Sequence, residues 1–150
     1  MPKIRQAQKE DAEFIIDFQL KMAKETENLE LDKSLVSKGV KAVFDDPGKG
    51  VYYLADFDNK TAASLLITYE WSDWRNAWVW WIQSVYVLPE FRRKGIFQAM
   101  YRHITKLSEA RSDVGGIRLY VDLTNSRARK VYENIGMNGD HYQLFEAMQD

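Results

Sequence analysis

The stretch that decides the fold reads VYVLPEFRRKGIFQAM, over residues 85–100. It opens with the β-branched and aromatic side chains of a strand, Val85–Val87, and a proline-containing turn follows at Leu88–Phe91. The basic segment Arg92–Gly95 comes next, and the hydrophobic spacing then predicts a helix over residues 95–110. A strand, a basic turn and a helix are therefore expected in direct succession.

The basic turn Arg92–Gly95 places positive charge where it is unfavourable unless an anion is bound. The first turn of a helix has unpaired N–H groups and about half a positive charge, which repel basic side chains and attract phosphate. Gly95 also allows the backbone to approach a ligand closely. The chain has neither the Gly-Lys-Ser/Thr of a P-loop nor a G-x-G-x-x-G motif. We therefore predict a phosphate site, with a solvated basic helix start as the alternative.

The elements on either side of this turn follow from hydrophobic periodicity and from turn residues. They are a short strand at Ile4–Arg5, a helix over 10–24, a helix that begins at Asp32 and ends at Asp45–Gly48, strands over 51–57, 61–71 and 78–87, a strand over 117–123, a helix over 125–135 and a final strand over 141–148. The order is about βααβββαβαβ. It predicts one α/β domain over residues 1–150, built on a mixed sheet.

The last predicted helix carries a second group of spaced residues. Asn125, Ala128 and Tyr132 are three and four positions apart, so they share one face of a helix. Asn125 can cap the helix, Ala128 leaves room for an extended ligand, and Tyr132 presents a hydroxyl one turn further on. Taken alone, this segment fits a capped amphipathic helix with a packed tyrosine better than it fits a binding site.

Together, the two segments resemble the GCN5-related N-acetyltransferase superfamily. The pyrophosphate loop of that family reads Arg/Gln-x-x-Gly-x-Gly/Ala, and this chain has Arg92 and Gly95, with Phe97 in place of the last small residue. The later helix of the family reads Asn-x-x-Ala-x-x-x-Tyr-x-x-x-Gly-Phe. The matching residues here are Asn125, Ala128, Tyr132 and Gly136, with Met137 for Phe.

This resemblance covers nearly the whole chain and implies the fold of the family, a mixed central sheet with helices on both faces. It also implies that acetyl-CoA lies where the strands 78–87 and 117–123 splay apart. An acceptor amine attacks the thioester directly, and Tyr132 matches the general acid that protonates the departing thiolate. The cofactor-binding residues implied are Val85, Tyr86, Val87, Arg92, Arg93, Lys94, Gly95, Ile96, Phe97, Asn125, Ala128 and Lys130.

The acceptor side is less well defined by the sequence. Gln83 stands where some family members have a glutamate base, so Glu70 is a candidate base, with a solvated strand-end carboxylate as the alternative. Glu27 lies in an acidic segment that borders the acceptor site in the family, and Trp74 lies in an aromatic loop that could contact an amine. We expect a small amine acceptor. A protein or peptide acceptor and a non-catalytic acetyl-CoA-binding module are the alternatives.

Strict alternation along the strand 78–87 predicts which of its side chains share a face. One face is expected to carry Trp78, Trp80, Ile82, Ser84 and Tyr86, and the other Trp81, Gln83 and Val85. Packing on a sheet that is covered on both sides explains this aromatic content, and an aromatic pocket that binds an amine is the alternative.

Composition narrows the range of expected partners, metal sites and cellular locations. The chain has 21 Lys and Arg against 22 Asp and Glu, for a net charge of −1, so neither nucleic acid nor an anionic membrane is an expected partner. It has no cysteine, and His103 and His141 are isolated, so no metal site is expected. With no long apolar segment, a cytoplasmic protein is the expectation. Apolar alternation over His141–Met148 would permit a homodimer.

Overall fold

The computed structural model describes residues 1–149 as a mixed α/β fold. Its strands and helices, in chain order, are β1 (Lys3–Gln6), α1 (Ala12–Glu27), α2 (Lys33–Asp45), β2 (Val51–Phe57), β3 (Lys60–Ser72), β4 (Ala77–Val87), α3 (Ile96–Glu109), β5 (Val114–Arg118) and α4 (Ser126–Asn134). The predicted order is confirmed through α4. By its contacts the chain forms two compact units, Met1–Arg118 and the segment from Leu119 onward.

The sheet of the first unit has the strand order β1-β2-β3-β4-β5. The first four strands pair in antiparallel fashion, whereas β5 pairs with β4 in parallel. Parallel neighbours need a crossover connection, and α3 lies in that connection. The parallel ladder runs from Trp78 opposite Val114 to Trp81 opposite Arg118, so it ends well before β4 does.

Helices cover both faces of this sheet, as the family resemblance implied. Tyr52 and Leu54 point to one face, where they pack in a buried cluster with residues of α1 and α2. Tyr53 points to the other face, and its ring lies 5.9 Å from that of His103 in α3. α2 begins at the predicted cap, because Asp32 Oδ1 accepts from the backbone N–H of Ser34 at 2.9 Å.

A bulge in β4 overturns the predicted face of Tyr86. Ser64 lies opposite Tyr86 and Leu66 lies opposite Gln83. Residues opposite one another in a ladder share a face, and so do Ser64 and Leu66, which are two apart. Gln83 and Tyr86 therefore share a face, although they are three apart. One extra residue in β4 changes the alternation, and Ser84 within the bulge has a φ of +53°.

The strand predicted over 117–123 is displaced toward the N-terminus, because β5 spans Val114–Arg118 and includes Gly115 and Gly116. Glycine is a poor strand former by itself. Parallel pairing with β4 fixes these residues in the sheet, and an added Cβ at Gly115 would lie 3.4 Å from Cβ of Ala77. Packing against a neighbouring strand thus outweighs the intrinsic preference of the two glycines.

The strand predicted over 141–148 is wrong, since the described residues there form no strand. Tyr142, Leu144, Phe145 and Met148 are all exposed. An alternating pattern produces a strand only where a neighbouring edge supplies hydrogen bonds. In residues 141–149 no ladder partner is recorded.

Candidate active site

The end of β4 and the turn that follows it form the centre of the candidate site. Beyond Trp81, no pairing of β4 with β5 is recorded within residues 1–149, so the edge of Val85–Val87 that faces away from β3 lies outside that ladder. A strand edge of this kind offers backbone N–H and C=O groups to an extended ligand. The predicted contact of Val85–Val87 with the pantetheine arm stays a prediction.

The basic turn has a backbone suited to an anion. Pro89–Phe91 forms one 3-10 turn, after which Arg93 and Gly95 adopt the left-handed conformation, with φ of +63° and +74°. α3 then begins at Ile96. Left-handed residues in such turns direct successive N–H groups into a concavity that binds anions, and the unpaired N–H groups of the helix N-terminus lie beside it.

The side chain of Arg92 anchors the turn to two other parts of the fold. Its Nε donates to the carbonyl oxygen of Val87 at 2.9 Å, and its Nη2 donates to Oε2 of Glu25 on α1 at 2.9 Å. The guanidinium carbon lies 5.6 Å from the centre of the Tyr86 ring. Burial raises the pKa of Tyr86 to about 12, with a smaller contribution from its hydrogen bond to the Glu25 carboxylate.

The other basic residues of the turn are open to solvent. Arg93 and Lys94 are both exposed, and Nζ of Lys94 lies 5.9 Å from the centre of the Phe57 ring. Phe97, at the position where the family has a small residue, is half-buried. Its ring centre lies 6.3 Å from that of Tyr101, one turn further along α3, so the side chain packs along its own helix.

The second motif lies on α4, in the unit that begins at Leu119. Asn125 caps this helix as predicted, because its Oδ1 accepts from the N–H of Ala128 at 3.1 Å. Gly136 follows the helix with a φ of +95°, as expected for a residue just beyond a helix end. Lys130 is exposed and Tyr132 is half-buried. Burial raises the pKa of the Tyr132 phenol, so this group stays protonated through neutral pH.

Glu70 is held by hydrogen bonds that do not suit a base. Its Oε1 accepts from Trp81 Nε1 at 2.8 Å and from Arg118 Nη1 at 3.0 Å. These donors hold the pKa of Glu70 below its usual range, the Trp81 bond having the largest effect. The carboxylate links β3, β4 and β5 at the point where the parallel ladder ends, and its predicted catalytic role stays a prediction.

The remaining acceptor-side residues lie in different places. Gln83 is half-buried and donates to Thr68 Oγ1 across the β3–β4 ladder. Trp74 lies in the loop of the β3–β4 hairpin and is 92% exposed. Glu27 is the exposed last residue of α1. In the acidic segment that contains Glu27, Glu25 is paired with Arg92 and Glu30 with Lys24, so much of the negative charge of this segment is compensated.

Sequence reasoning missed two features of this site. The left-handed conformation of Ser84 has no sequence signal, since serine is not a residue that favours it. The ion pair between Glu25 and Arg92 joins positions 67 apart in the chain, and no local spacing indicates it. The first depends on the register of β4 with β3, and the second depends on the packing of α1 beside the end of β4.

Neither a metal-binding cluster nor a membrane-spanning helix is found among residues 1–149. The side chains of His, Asp and Glu form no group of three or more that could hold a metal ion in this part of the chain. In the same residues, none of the helices combines the length and the apolar character needed to span a bilayer.

Comparison with known proteins gives one family and several structures. A family model described as the acetyltransferase (GNAT) family matches residues 8–137. A possible acetyltransferase from Clostridium difficile 630 is 41% identical, with a TM-score of 0.91 over 100% of this chain and 99% of the other. A probable acetyltransferase is 21% identical, with a TM-score of 0.86 over 99% of each chain.

A further similar structure is described as a predicted acetyltransferase with acetyl-CoA, from Clostridium acetobutylicum. It is 18% identical, with a TM-score of 0.75 over 97% of this chain and 96% of the other. At this identity, and at that of the probable acetyltransferase, the likeness is one of fold alone. Among curated proteins, no sequence gives a significant match.

Proposed function

The chain belongs to the acetyltransferase (GNAT) family, and we propose that it transfers the acetyl group of acetyl-CoA to the amine of a small molecule. The observation that carries this proposal is the turn Arg92–Gly95. It combines left-handed backbone, exposed basic side chains and the N-terminus of α3 directly after a strand edge that lies outside the β4–β5 ladder. An extended pantetheine arm suits the strand edge, and the pyrophosphate to which that arm is joined suits the turn.

In the donor half of the reaction, this chain supplies mostly backbone groups. The N–H groups from Arg93 to Phe97 would bind the pyrophosphate, and Arg93 and Lys94 would add charge. The open edge of Val85–Val87 would hold the pantetheine arm. A backbone N–H near Val85 would donate to the thioester carbonyl, which stabilises the negative charge that develops on its oxygen. When bound, acetyl-CoA supplies the activated acetyl group.

We assign the proton for the departing thiolate to Tyr132. The assignment rests on the family motif and on the protonated state of the phenol. The pKa of Tyr132 is raised by burial, so the hydroxyl is protonated at neutral pH and can donate a proton there. A general acid of this kind contributes about 10²–10⁴ to the rate.

The choice of a small amine rests on the groups that lie on the α1 face of the sheet. Trp81 and Gln83 are half-buried there, and the nearby carboxylates of Glu25 and Glu70 are paired with arginine side chains. Such a surface is aromatic and nearly neutral. It suits an amine that binds in its uncharged, reactive form better than it suits a polycation.

The test is release of free CoA from acetyl-CoA across a panel of small amines and amino-terminal peptides. We expect turnover with small amines, and we expect Tyr132→Phe to lower kcat about 10²–10⁴-fold while CoA still binds. Tyr142→Phe is the matched control, because Tyr142 is a tyrosine of the same unit that is 76% exposed.

A different result would contradict each part of the proposal. Unchanged turnover in Tyr132→Phe would remove that residue from the mechanism. Turnover with peptides alone would replace the small acceptor by a protein one. Binding of acetyl-CoA without release of CoA to any amine would point to a binding module.

A further inference from the structure

We propose that Glu25, on the last turn of α1, is a positioning residue for the turn that binds the pyrophosphate, and that it acts through Arg92. The inference deepens the proposed function and rests on it. It assigns a role in donor binding to a residue that lies outside both sequence motifs and that belongs to the helix on the acceptor side.

Arg92 is held at three points, which leave its side chain little freedom. Nε donates to the carbonyl oxygen of Val87, the last residue of β4, and Nη2 donates to Glu25, both at 2.9 Å. The planar guanidinium lies over the ring of Tyr86. Only an arginine can reach a carbonyl, a carboxylate and an aromatic face at the same time, so the first residue of the turn is tied to both β4 and α1.

Glu25 is itself held in place by β4. The hydroxyl of Tyr86 donates to its carboxylate, and the Tyr86 ring is buried, with its centre 5.4 Å from that of Phe18 on α1. The bulge at Ser84 is what turns Tyr86 toward this face. The position of the carboxylate thus follows from the same irregularity that shapes the end of β4.

The charges explain why Glu25 orders the turn and does not itself attract the ligand. A carboxylate near a pyrophosphate would repel it. Here the negative charge of Glu25 is compensated by Arg92, so attraction comes from the N–H groups of the turn and from Arg93 and Lys94. The ion pair keeps the turn in its binding geometry before the ligand binds. Preorganisation of this kind raises affinity, because less conformational entropy is lost on binding.

Another ion pair on the same helix provides a matched control. Asp17 is paired with Lys21 at 2.8 Å, one turn apart within α1, with both side chains about half exposed. Asp17→Asn removes the same charge from the same helix as Glu25→Gln and also breaks an ion pair. Among residues 1–149, Asp17 forms its ion pair with Lys21 and no hydrogen bond or ion pair with the turn Arg92–Gly95, although its charge also acts on Tyr86.

The experiment measures CoA binding by calorimetry and the KM values of both substrates in wild type, Glu25→Gln, Asp17→Asn, Arg92→Gln and the double variant Glu25→Gln/Arg92→Gln. We expect Glu25→Gln to weaken CoA binding and raise the KM of acetyl-CoA about two- to fivefold, as for a half-exposed ion pair. Asp17→Asn should change neither, and the KM of the amine should stay the same in both. In the Arg92→Gln background, which has no positive charge to pair with Glu25, Glu25→Gln should cause no further loss, because the two residues act as one unit.

Several results would overturn the inference while the proposed function stands. Tighter CoA binding in Glu25→Gln would mean that Glu25 withholds Arg92 from the ligand. An equal loss in Asp17→Asn would reduce the effect to general charge, and an undiminished loss in the Arg92→Gln background would show that Glu25 acts by another route. A rise in the KM of the amine alone would make Glu25 an acceptor contact. Failure of wild type to bind CoA would overturn both proposals.

Discussion

The two regions that carry the family motifs are held together by different means. The turn Arg92–Gly95 belongs to a unit in which five strands and three helices share buried side chains, and its arginine is tied to residues far away in the chain. In the segment from Leu119 onward, no residue of α4 is fully buried, and Asn125 caps the helix through a hydrogen bond from Ala128, three positions away. The first motif therefore depends on tertiary packing, whereas the start of the second is fixed by a local cap.

The sharpest test of this difference is a matched pair of leucine truncations. Leu54 is 0% exposed between the sheet and the first two helices, and Leu123 is 74% exposed. We expect Leu54→Ala to lower the free energy of unfolding by about 2–5 kcal/mol through lost burial and a residual cavity. Leu123→Ala should change it by less than about 0.5 kcal/mol. Urea denaturation followed by tryptophan fluorescence measures both, and equal losses would contradict the comparison.

The next test uses two glycines with left-handed backbone, one in each region. Gly95 has a φ of +74° and Gly136 a φ of +95°, and at both positions an added Cβ would have open space around it. We expect each change to alanine to cost about 1–2 kcal/mol of backbone strain where the native conformation is kept. Of the two, only Gly95→Ala should also weaken CoA binding, because Gly95 lies in the pyrophosphate turn.

Gly136→Ala thus serves as the control for strain in this pair. Thermal unfolding gives the stability of each variant, and calorimetry with CoA gives the affinity. If both variants lost affinity equally, the role of Gly95 would reduce to that of any strained position. If Gly95→Ala bound CoA as wild type does, the backbone of this turn would not be what holds the ligand.

The sequence was most informative where local patterns decide the structure. The turn Arg92–Gly95 was predicted between a strand and a helix because strand composition, a proline and helical periodicity follow one another there, and Asp32 and Asn125 cap their helices as expected. The fold class followed from the order of these elements. Spacing between motif residues identified the family, which a family model also matches over residues 8–137.

The features that could not be predicted all depend on pairing or packing at long range. The bulge at Ser84 changes which face Tyr86 occupies, and it is fixed by the register with β3. The strand Val114–Arg118 contains two glycines because pairing with β4 outweighs their preference. The alternating pattern over 141–148 indicates a strand, but a pattern cannot supply the neighbouring edge that a strand requires. In the candidate site, the ion pair between Glu25 and Arg92 could not be predicted for the same reason, because it joins positions far apart in the chain.

A third prediction compares the caps of two helices. Asp32 caps α2, which packs in the core, and Asn125 caps α4. Changing either to alanine should cost about 1 kcal/mol of local helix stability. We expect Asp32→Ala to lower the midpoint of global unfolding, whereas Asn125→Ala should mainly speed amide hydrogen exchange at the start of α4. A global loss of the same size in both variants would show that α4 unfolds together with the sheet.

The smallest expected effect compares two aspartates with lowered pKa values, one in each region. Both Oδ atoms of Asp11 accept from Arg5, at 2.8 and 3.1 Å, and this hydrogen-bonded pair is the main cause of its lowered pKa. Oδ1 of Asp122 accepts from Thr124 Oγ1 at 2.6 Å and from its N–H at 2.8 Å, and these bonds lower its pKa. The pair of Arg5 and Asp11 joins β1 to the residue before α1, whereas the hydrogen bonds from Thr124 to Asp122 close a local turn.

A carboxylate whose pKa is lowered by folding binds fewer protons in the folded state than in the unfolded state. Its contribution to stability is therefore complete above its ordinary value of 3.8 and is lost as the pH falls through the lower folded value.

We expect Asp11→Asn to be less stable than wild type at pH 7 by up to about 1 kcal/mol. The difference should shrink below pH 3.8, where wild type loses the same interaction. Asp122→Asn should leave global unfolding unchanged at every pH, because its hydrogen bonds close only a turn. Urea midpoints measured from pH 7 to pH 2 test both expectations. A pair that depends on charge must weaken when its carboxylate is protonated. If the stability difference between Asp11→Asn and wild type stayed constant over this range, the loss would therefore be assigned to packing.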